Sequence, residues 1–190
     1  MAESLRTTRV SVEDYLAGER VTEVRHEYVD GELFAMTGAS RRHNTLVMNL
    51  SIRLGTHLEG GPCRLASSDM KVRAAVGERF YYPDLVVSCN DARDEADEYV
   101  ETRPTIVVEV LSESTVQTDR REKRVAYQSI ESLREYVLVS QTAREVSVYR
   151  RDGAGWLLDV LGAGERIPLD SVGFELDVDD LYRNVETDAA

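Results

Sequence analysis

The stretch that decides the fold is Ile106-Val107-Val108-Glu109-Val110-Leu111, in which five apolar residues are interrupted by one acid. A short apolar run of this kind predicts a central strand that is buried on both faces of a sheet. A carboxylate in such a strand is costly to bury unless it is paired or bound to a metal. Glu109 is therefore part of a buried polar site, or it faces solvent or an arginine at a strand edge. Both interpretations stay open.

The sequence after this strand predicts a strand–helix–strand unit over 105–140. A helix is expected from about 118 to 130, and a strand follows at 135–139. Two parallel strands need a crossover of this length. Further elements are predicted nearer the carboxyl end of the chain: strands at 145–150 and 156–161, and a short helix from about Asp177 that contains Leu181 and Val185.

The sequence before the central strand predicts two helices and several strands. Ser11 and Ser40 are suitable N-cap residues, and Asp30-Gly31 between two extended runs is a strong hairpin signal. The predicted elements are a short helix after Ser11 with Val12, Tyr15 and Leu16 inward, a hairpin over 28–36, a helix over 41–58 with Val47, Leu50 and Leu54 at helical spacing, and strands near 64–66, 70–74 and 80–87. This order predicts an α/β fold with α+β character, in which helices flank a mixed central sheet.

Length and composition indicate one domain of ordinary size. The chain has 190 residues, of which 42% are hydrophobic, and this is enough for a full core. We assign 1–185 to a single domain and predict that 186–190 form a disordered tail. No stretch is apolar enough for a membrane span or a signal peptide, so we expect a cytoplasmic protein.

Charge and cysteine content narrow the functional classes. The net charge of −12 disfavours strong non-specific binding to nucleic acid, which normally needs a basic surface. Cys63 and Cys89 form no CxxC pair, so neither a disulfide framework nor a zinc site is indicated, although one disulfide stays open. His26, His43 and His57 lack metal-ligand spacing and are expected at helix ends or on the surface.

Asp84, Lys123 and Glu27 are the other candidates for chemistry beside Glu109. Asp84 follows Pro83 at the start of an apolar run, where it is either a turn residue or the second acid of a shared cation site. Lys123 is one of only two lysines among 23 basic residues. It shares a helix face with Tyr127 and Ile130, or it pairs with Asp119 in solvent. Glu27 precedes the hairpin and would by itself be an exposed glutamate.

Two charged segments have weaker functional interpretations. The run 91–98 reads DARDEADE and is either a cation chelator or a solvated surface loop, of which the loop is favoured. Arg120, Arg121, Lys123 and Arg124 form a basic cluster that could receive a phosphate backbone or could simply be a solvated helix face.

The order of several motifs resembles the Uma-two family, whose members are described as restriction endonucleases. The motifs span about 11–185: Glu27-Tyr28-Val29-Asp30-Gly31-Glu32, Arg42-His43-Asn44, Ser68-Asp69-Met70-Lys71-Val72-Arg73, Tyr82-Pro83-Asp84-Leu85-Val86-Val87, Val107-Val108-Glu109-Val110-Leu111-Ser112, then Asp119-Arg120, Lys123 and Tyr127, and Ser132-Leu133-Arg134-Glu135-Tyr136-Val137-Leu138-Val139. As a set these motifs are specific, although each alone is not.

The resemblance implies a PD-(D/E)XK nuclease core with the metal site at the centre of a mixed sheet. It assigns Asp84 and Glu109 as the two motif acids, and Glu27 as the acid supplied from the amino-terminal part. The superfamily's lysine normally stands two residues after the second acid, where this chain has Leu111. Similar families carry the lysine on the following helix, a position that Lys123 fits. Glu113 is a second departure from the family pattern, because the family commonly has proline at this position. The difference concerns the turn after Ser112 more than the site.

The function implied is hydrolysis of phosphodiester bonds in DNA with Mg²⁺ or Mn²⁺. Asp84 and Glu109 would bind the metal with help from Glu27, and Lys123 would orient water or stabilise the transition state. Cleavage of both strands would favour a homodimer. Two alternatives are kept: a non-catalytic nucleic-acid-binding or dimerisation module that retains the fold, and a phosphodiesterase that acts on RNA or nucleotides.

Overall fold

The computed structural model describes residues 9–74, 77–89, 97–112 and 119–187. Four features expected from the sequence lie wholly or partly outside these residues: most of the acidic run 91–98, position 113, the predicted helix start at 118, and the end of the predicted tail at 188–190. Within the described residues, no helix combines the length and the apolar character needed to span a membrane.

A six-stranded mixed sheet forms the centre of the molecule. Its strands are β3 (Arg64–Ser67), β6 (Leu85–Ser88), β8 (Ile106–Leu111), β9 (Glu135–Ser140), β10 (Val146–Asp152) and β11 (Gly155–Leu161). They lie in the order β11-β10-β9-β8-β6-β3. All six residues of β8 are buried, and β8 pairs in parallel with β9 and antiparallel with β6. The predicted central strand and its parallel partner are therefore confirmed.

A second sheet has five strands and brings the amino-terminal part of the chain to the first sheet. Its strands are β1 (His26–Val29), β2 (Glu32–Ala35), β4 (Lys71–Arg73), β5 (Arg79–Tyr81) and β7 (Val100–Glu101), in the order β2-β1-β5-β4-β7. The β1–β2 hairpin turns at Asp30 and Gly31, whose φ angles are 49° and 98°. Two successive positive φ angles are the requirement of the twist-matched hairpin turn, so this prediction is also confirmed.

The main helices lie on opposite faces of the six-stranded sheet. The α1 helix (Val12–Glu19) packs on the second sheet, while α2 (Arg41–Leu58) and the short α3 (Arg124–Gln128) flank the first. Val108 and Val110 pack with α2, and Val107 and Leu111 pack with Tyr127 of α3. Because side chains alternate along a strand, Glu109 points to the α3 face. The expected mixed α+β architecture with flanking helices is observed.

The predicted strand over 80–87 is wrong, because the chain changes sheets within it. The β5 strand ends at Tyr81 in the five-stranded sheet, and β6 begins at Leu85 in the six-stranded sheet. Pro83 has no N–H to donate to a strand ladder, which favours an interruption at this point. Asp84 consequently stands at the junction of the two sheets and not inside a continuous strand.

The predicted helix over 118–130 is shorter and less regular than expected. Residues Asp119–Lys123 form a π-helical turn, and regular α-helix covers only Arg124–Gln128. The Arg151 guanidinium donates hydrogen bonds to the carbonyl oxygens of Gln128 and Ile130, which satisfies carbonyl groups at the helix end without a further turn. Ile130 is buried beyond the helix end.

The carboxyl-terminal part also differs from the prediction. Helix α4 (Val178–Leu181) ends before Val185, because Asn184 has a φ of 63°, which a right-handed helix does not allow. The sequence did not predict β7, β12 (Arg166–Leu169) or β13 (Phe174–Asp177). Cys63 and Cys89 form a disulfide between the start of β3 and the end of β6, which answers a question that the sequence left open.

Candidate active site

Glu109 lies in a buried polar contact on the α3 face of the sheet. It is 4% exposed, and its Oε1 accepts hydrogen bonds from Lys123 Nζ at 3.3 Å and from Tyr127 Oη at 3.1 Å. The interpretation of Glu109 as a solvent-facing edge residue is therefore wrong. The strand buries a carboxylate that charged and polar partners compensate.

Lys123 connects two carboxylates that come from different sheets. Its Nζ lies 2.8 Å from Glu27 Oε1 and 3.3 Å from Glu109 Oε1. The residue is 6% exposed, and its ammonium lies 5.5 Å from the centre of the Tyr81 ring. Lys123 thus faces the sheet, as its spacing to Tyr127 predicted, and the alternative of a solvent-facing ion pair is wrong.

The basic cluster of the same segment is correspondingly smaller than the sequence indicated. Lys123 points inward, and the guanidinium of Arg124 lies over the Tyr149 ring at 5.3 Å. Arg121 is exposed. A continuous basic face that includes Lys123 is therefore not formed.

Glu27 lies on β1 of the five-stranded sheet and reaches across to the other sheet. Its side chain is 17% exposed, and Oε1 accepts the backbone N–H of Tyr82 at 3.3 Å in addition to the contact with Lys123. The expectation that Glu27 is an ordinary exposed glutamate is wrong. Strand β1 pairs with β5, which ends at Tyr81 just before the Tyr82 amide.

Asp84 stands beside Glu109 at the end of β8. The register pairs Leu85 with Val108, and Asp84 directly precedes Leu85, next to the part of β8 that carries Glu109. Asp84 Oδ2 accepts the Val110 N–H at 2.7 Å and lies 3.2 Å from His43 Nε2. The structure thus joins Glu27, Lys123 and Glu109 by direct contact and links Asp84 to them through β8.

The charges and burial of the site determine which groups donate protons in hydrogen bonds. Burial, followed by the charges of Glu109 and Glu27, raises the pKa of Tyr127 well above its ordinary value. Tyr127 therefore stays a neutral O–H donor to Glu109 at physiological pH. Two carboxylates, those of Glu27 and Glu109, contact the one ammonium of Lys123, and a bound cation would offset negative charge of this kind.

The donor set fits a hard divalent cation held by two carboxylates. Mg²⁺ prefers one or two carboxylates together with water and substrate oxygens, and Asp84 accepts the N–H of Val110, the residue after Glu109. Over the ranges that the structure describes, no group of three or more His, Cys, Asp or Glu side chains is arranged to hold a metal. Glu27 is instead directed to Lys123 and the Tyr82 amide.

His43 and Tyr127 are site residues to which the sequence assigned no role. Tyr127 had a detectable signal, because it stands four residues after Lys123 on the same helix face. The partner of His43 is 41 positions away, and no local pattern predicts such a contact. His43 was expected at a helix end, which is where it lies, in the first turn of α2.

Comparisons with known proteins show the family to which the chain belongs. The sequence model of a family named Uma2, described as "Putative restriction endonuclease", matches residues 12–179. The chain belongs to the Uma2 family. The resemblance inferred from the motifs is thereby confirmed, and the family description supports a nuclease function in general terms.

Similar proteins extend over nearly the whole chain. An uncharacterized protein of Synechocystis sp. is 37% identical over 178 residues, which are 93% of each chain. A second uncharacterized Synechocystis protein is 32% identical over 158 residues, covering 82% of this chain and 89% of its own.

A solved structure has the same fold. It is a crystal structure from Anabaena variabilis, titled as a "putative nuclease belonging to DUF820", with a TM-score of 0.75 over 93% of this chain and 99% of its own. At 15% sequence identity, this likeness concerns the fold alone.

Proposed function

We propose that the protein is a metal-dependent endonuclease that hydrolyses phosphodiester bonds in DNA. The observation that carries the proposal is the contact of Lys123 Nζ with Glu27 and Glu109, at 2.8 and 3.3 Å. Leu111 occupies the position where a lysine was expected from the superfamily pattern. Lys123 supplies the missing ammonium from the following helix, beside the second acid.

Each residue of the site would have a separate task. Asp84 and Glu109 would hold Mg²⁺ or Mn²⁺, with Glu27 assisting. When bound, the metal would supply a Lewis acid that neutralises charge on the scissile phosphate. Lys123 would orient the attacking water and offset charge that develops on a phosphate oxygen. Tyr127 and the Tyr82 amide would fix the two glutamates through the hydrogen bonds described above.

The direct test is cleavage of duplex, single-stranded and branched DNA, and of RNA, with and without Mn²⁺ or Mg²⁺. Glu109→Gln keeps the side-chain shape and removes the charge that the metal needs. We expect metal-dependent cleavage by the native protein, and at least about a 100-fold loss in the variant, since one electrostatic contact of this kind is worth that factor or more.

Glu135→Gln provides the matched control. Glu135 is 1% exposed on the neighbouring strand β9, and it accepts the Ser171 N–H at 3.1 Å, away from the site. This variant should cleave like the native protein. Activity that survives in Glu109→Gln would reject the assignment, and cleavage of RNA alone would favour the phosphodiesterase alternative.

The net negative charge of the chain leads to a separate DNA-binding experiment that tests the non-catalytic alternative. With a net charge of −12, we expect weak non-specific DNA binding that falls steeply with salt. Retarded migration of DNA without cleavage, and without any metal-dependent rise in melting temperature, would favour a binding module. Light scattering would test the two-fold dimer that cleavage of both strands would favour.

A further inference from the structure

His43 lies in the first turn of α2 and faces Asp84 across the junction between the helix and the sheet. Its Nε2 is 3.2 Å from Asp84 Oδ2, and the two side chains are 15% and 14% exposed. The contact is therefore largely shielded from water, which strengthens an electrostatic interaction between an imidazole and a carboxylate.

The start of α2 is fastened to the same end of β8 that carries the site. Ser40 caps the helix by accepting the His43 N–H at 3.1 Å, and it donates to Gln141 Oε1 at 2.6 Å. Gln141 in turn donates to the carbonyl oxygen of Leu111 at 2.8 Å. A chain of hydrogen bonds thus holds the backbone of His43 in place relative to β8. The imidazole ring therefore projects from a fixed position.

Both described contacts of the Asp84 carboxylate fall on one oxygen. Oδ2 accepts the Val110 N–H at 2.7 Å and faces His43 Nε2. Among the residues that the structure describes, Oδ1 has no hydrogen-bond or ion-pair partner. The protein therefore fixes the plane of the carboxylate through Oδ2 and leaves the other oxygen as the one that a cation or a water can approach.

We infer that His43 is a positioning residue that orients Asp84 for metal binding, an inference that rests on the proposed function. Groups that hold a metal-binding carboxylate commonly contribute about 10–100-fold to metal affinity. His43 does not touch the reacting atoms in this scheme. Its effect passes through the orientation of Asp84, and so it is measurable in metal binding without any nucleic acid present.

The test is the affinity for Mn²⁺ alone, measured by calorimetry on the intact chain. His43→Ala should weaken Mn²⁺ binding about 10–100-fold. His43→Gln, whose amide nitrogen extends about as far from the backbone as imidazole Nε2, should keep most of the affinity. If His43 only filled space, its replacement by glutamine would not be expected to restore the Mn²⁺ affinity selectively.

His57→Ala is the matched control from the other end of α2. The His57 ring bonds to the Val172 carbonyl at 2.8 Å and packs against Phe174, so its loss should affect stability and leave Mn²⁺ affinity unchanged. If His43→Ala does not fold, His43→Phe keeps a ring without nitrogens and should show the same loss of affinity.

The outcomes separate this inference from the proposed function. Native-like Mn²⁺ affinity in a folded His43→Ala or His43→Phe variant would overturn the positioning role and leave the nuclease proposal intact. Absence of Mn²⁺ binding in the native protein would overturn both. A loss of Mn²⁺ affinity restored by glutamine and absent from the His57 variant would support the inference.

Discussion

At the scale of single residues, the buried ammonium of Lys123 is shared between the carboxylates of Glu27 and Glu109. Lys123 is the group that makes Glu27 and Glu109 compatible in a largely buried volume. Neither carboxylate has Lys123 as its sole contact, since the Tyr82 amide and the Tyr127 hydroxyl also donate. Those neutral donors cannot cancel two negative charges, so the ammonium supports the folded state in addition to the catalytic role proposed for it.

Lys123→Met should therefore lower stability as well as activity. Removing one partner of a buried ionic cluster leaves uncompensated charge and typically costs about 3–5 kcal/mol. We expect a loss of that size in urea unfolding, together with loss of cleavage. Lys71→Met is the control, because Lys71 is the other buried lysine and donates to the neutral Tyr82 hydroxyl at 3.2 Å. Equal stability losses in both variants would contradict the shared-ammonium account.

At the scale of elements, the weak point is the segment that carries Lys123. A π-helical turn followed by five α-helical residues is too short to be stable by itself. Its far end is held by Arg151, which donates to the carbonyl oxygens of Leu133, Gln128 and Ile130 at 2.7, 3.1 and 2.7 Å. The guanidinium also stacks over Trp156 at 4.5 Å. A residue of β10 thus anchors the helix that supplies the lysine.

Arg151→Met should loosen α3 and weaken the site from a distance. Hydrogen bonds to charged groups contribute about 1.5–3 kcal/mol each when lost, so we expect a clear drop in unfolding free energy. Hydrogen exchange at 126–130 should become faster. Arg166→Met is the control, since Arg166 forms solvent-exposed ion pairs with Glu175 and Asp177, and its loss should leave exchange at 126–130 unchanged. If the hydrogen-exchange rates at 126–130 are unchanged in Arg151→Met, Arg151 does not anchor α3.

At the scale of the whole molecule, buried tyrosines give the fold a defined response to alkali. Burial raises the pKa of five of them well above the ordinary value, namely Tyr15, Tyr81, Tyr82, Tyr127 and Tyr182. In the folded protein they stay protonated, while in the unfolded chain they ionise near pH 10. The unfolded state then binds fewer protons, so stability is intact below pH 10 and falls as pH rises beyond it.

Stability measured by urea unfolding should thus be lost steeply above pH 10. Tyrosinate absorbance near 295 nm should rise together with unfolding for these residues and not before it. Full tyrosine ionisation in a protein that is still folded would contradict the burial of this group.

The sequence alone determined the local architecture wherever one signal acted without competition. The apolar run around Glu109 gave the buried central strand, Asp30-Gly31 gave the hairpin, and Ser40 gave the start of α2 at Arg41. These predictions held because burial pattern, turn conformation and capping depend on neighbouring residues. Family membership was also apparent, since the motifs occur in order along the chain.

Only the tertiary structure decided which charged groups meet and where the chain changes sheets. Pro83 was visible in the sequence, but the transfer from β5 to β6 depends on two separate sheets packing at that point. The contacts of Glu27 with Lys123 and of His43 with Asp84 join residues 96 and 41 positions apart. Such pairs have no local signature, because their energies come from burial and charge in the assembled fold, and those exist only once the sheets and helices have packed together.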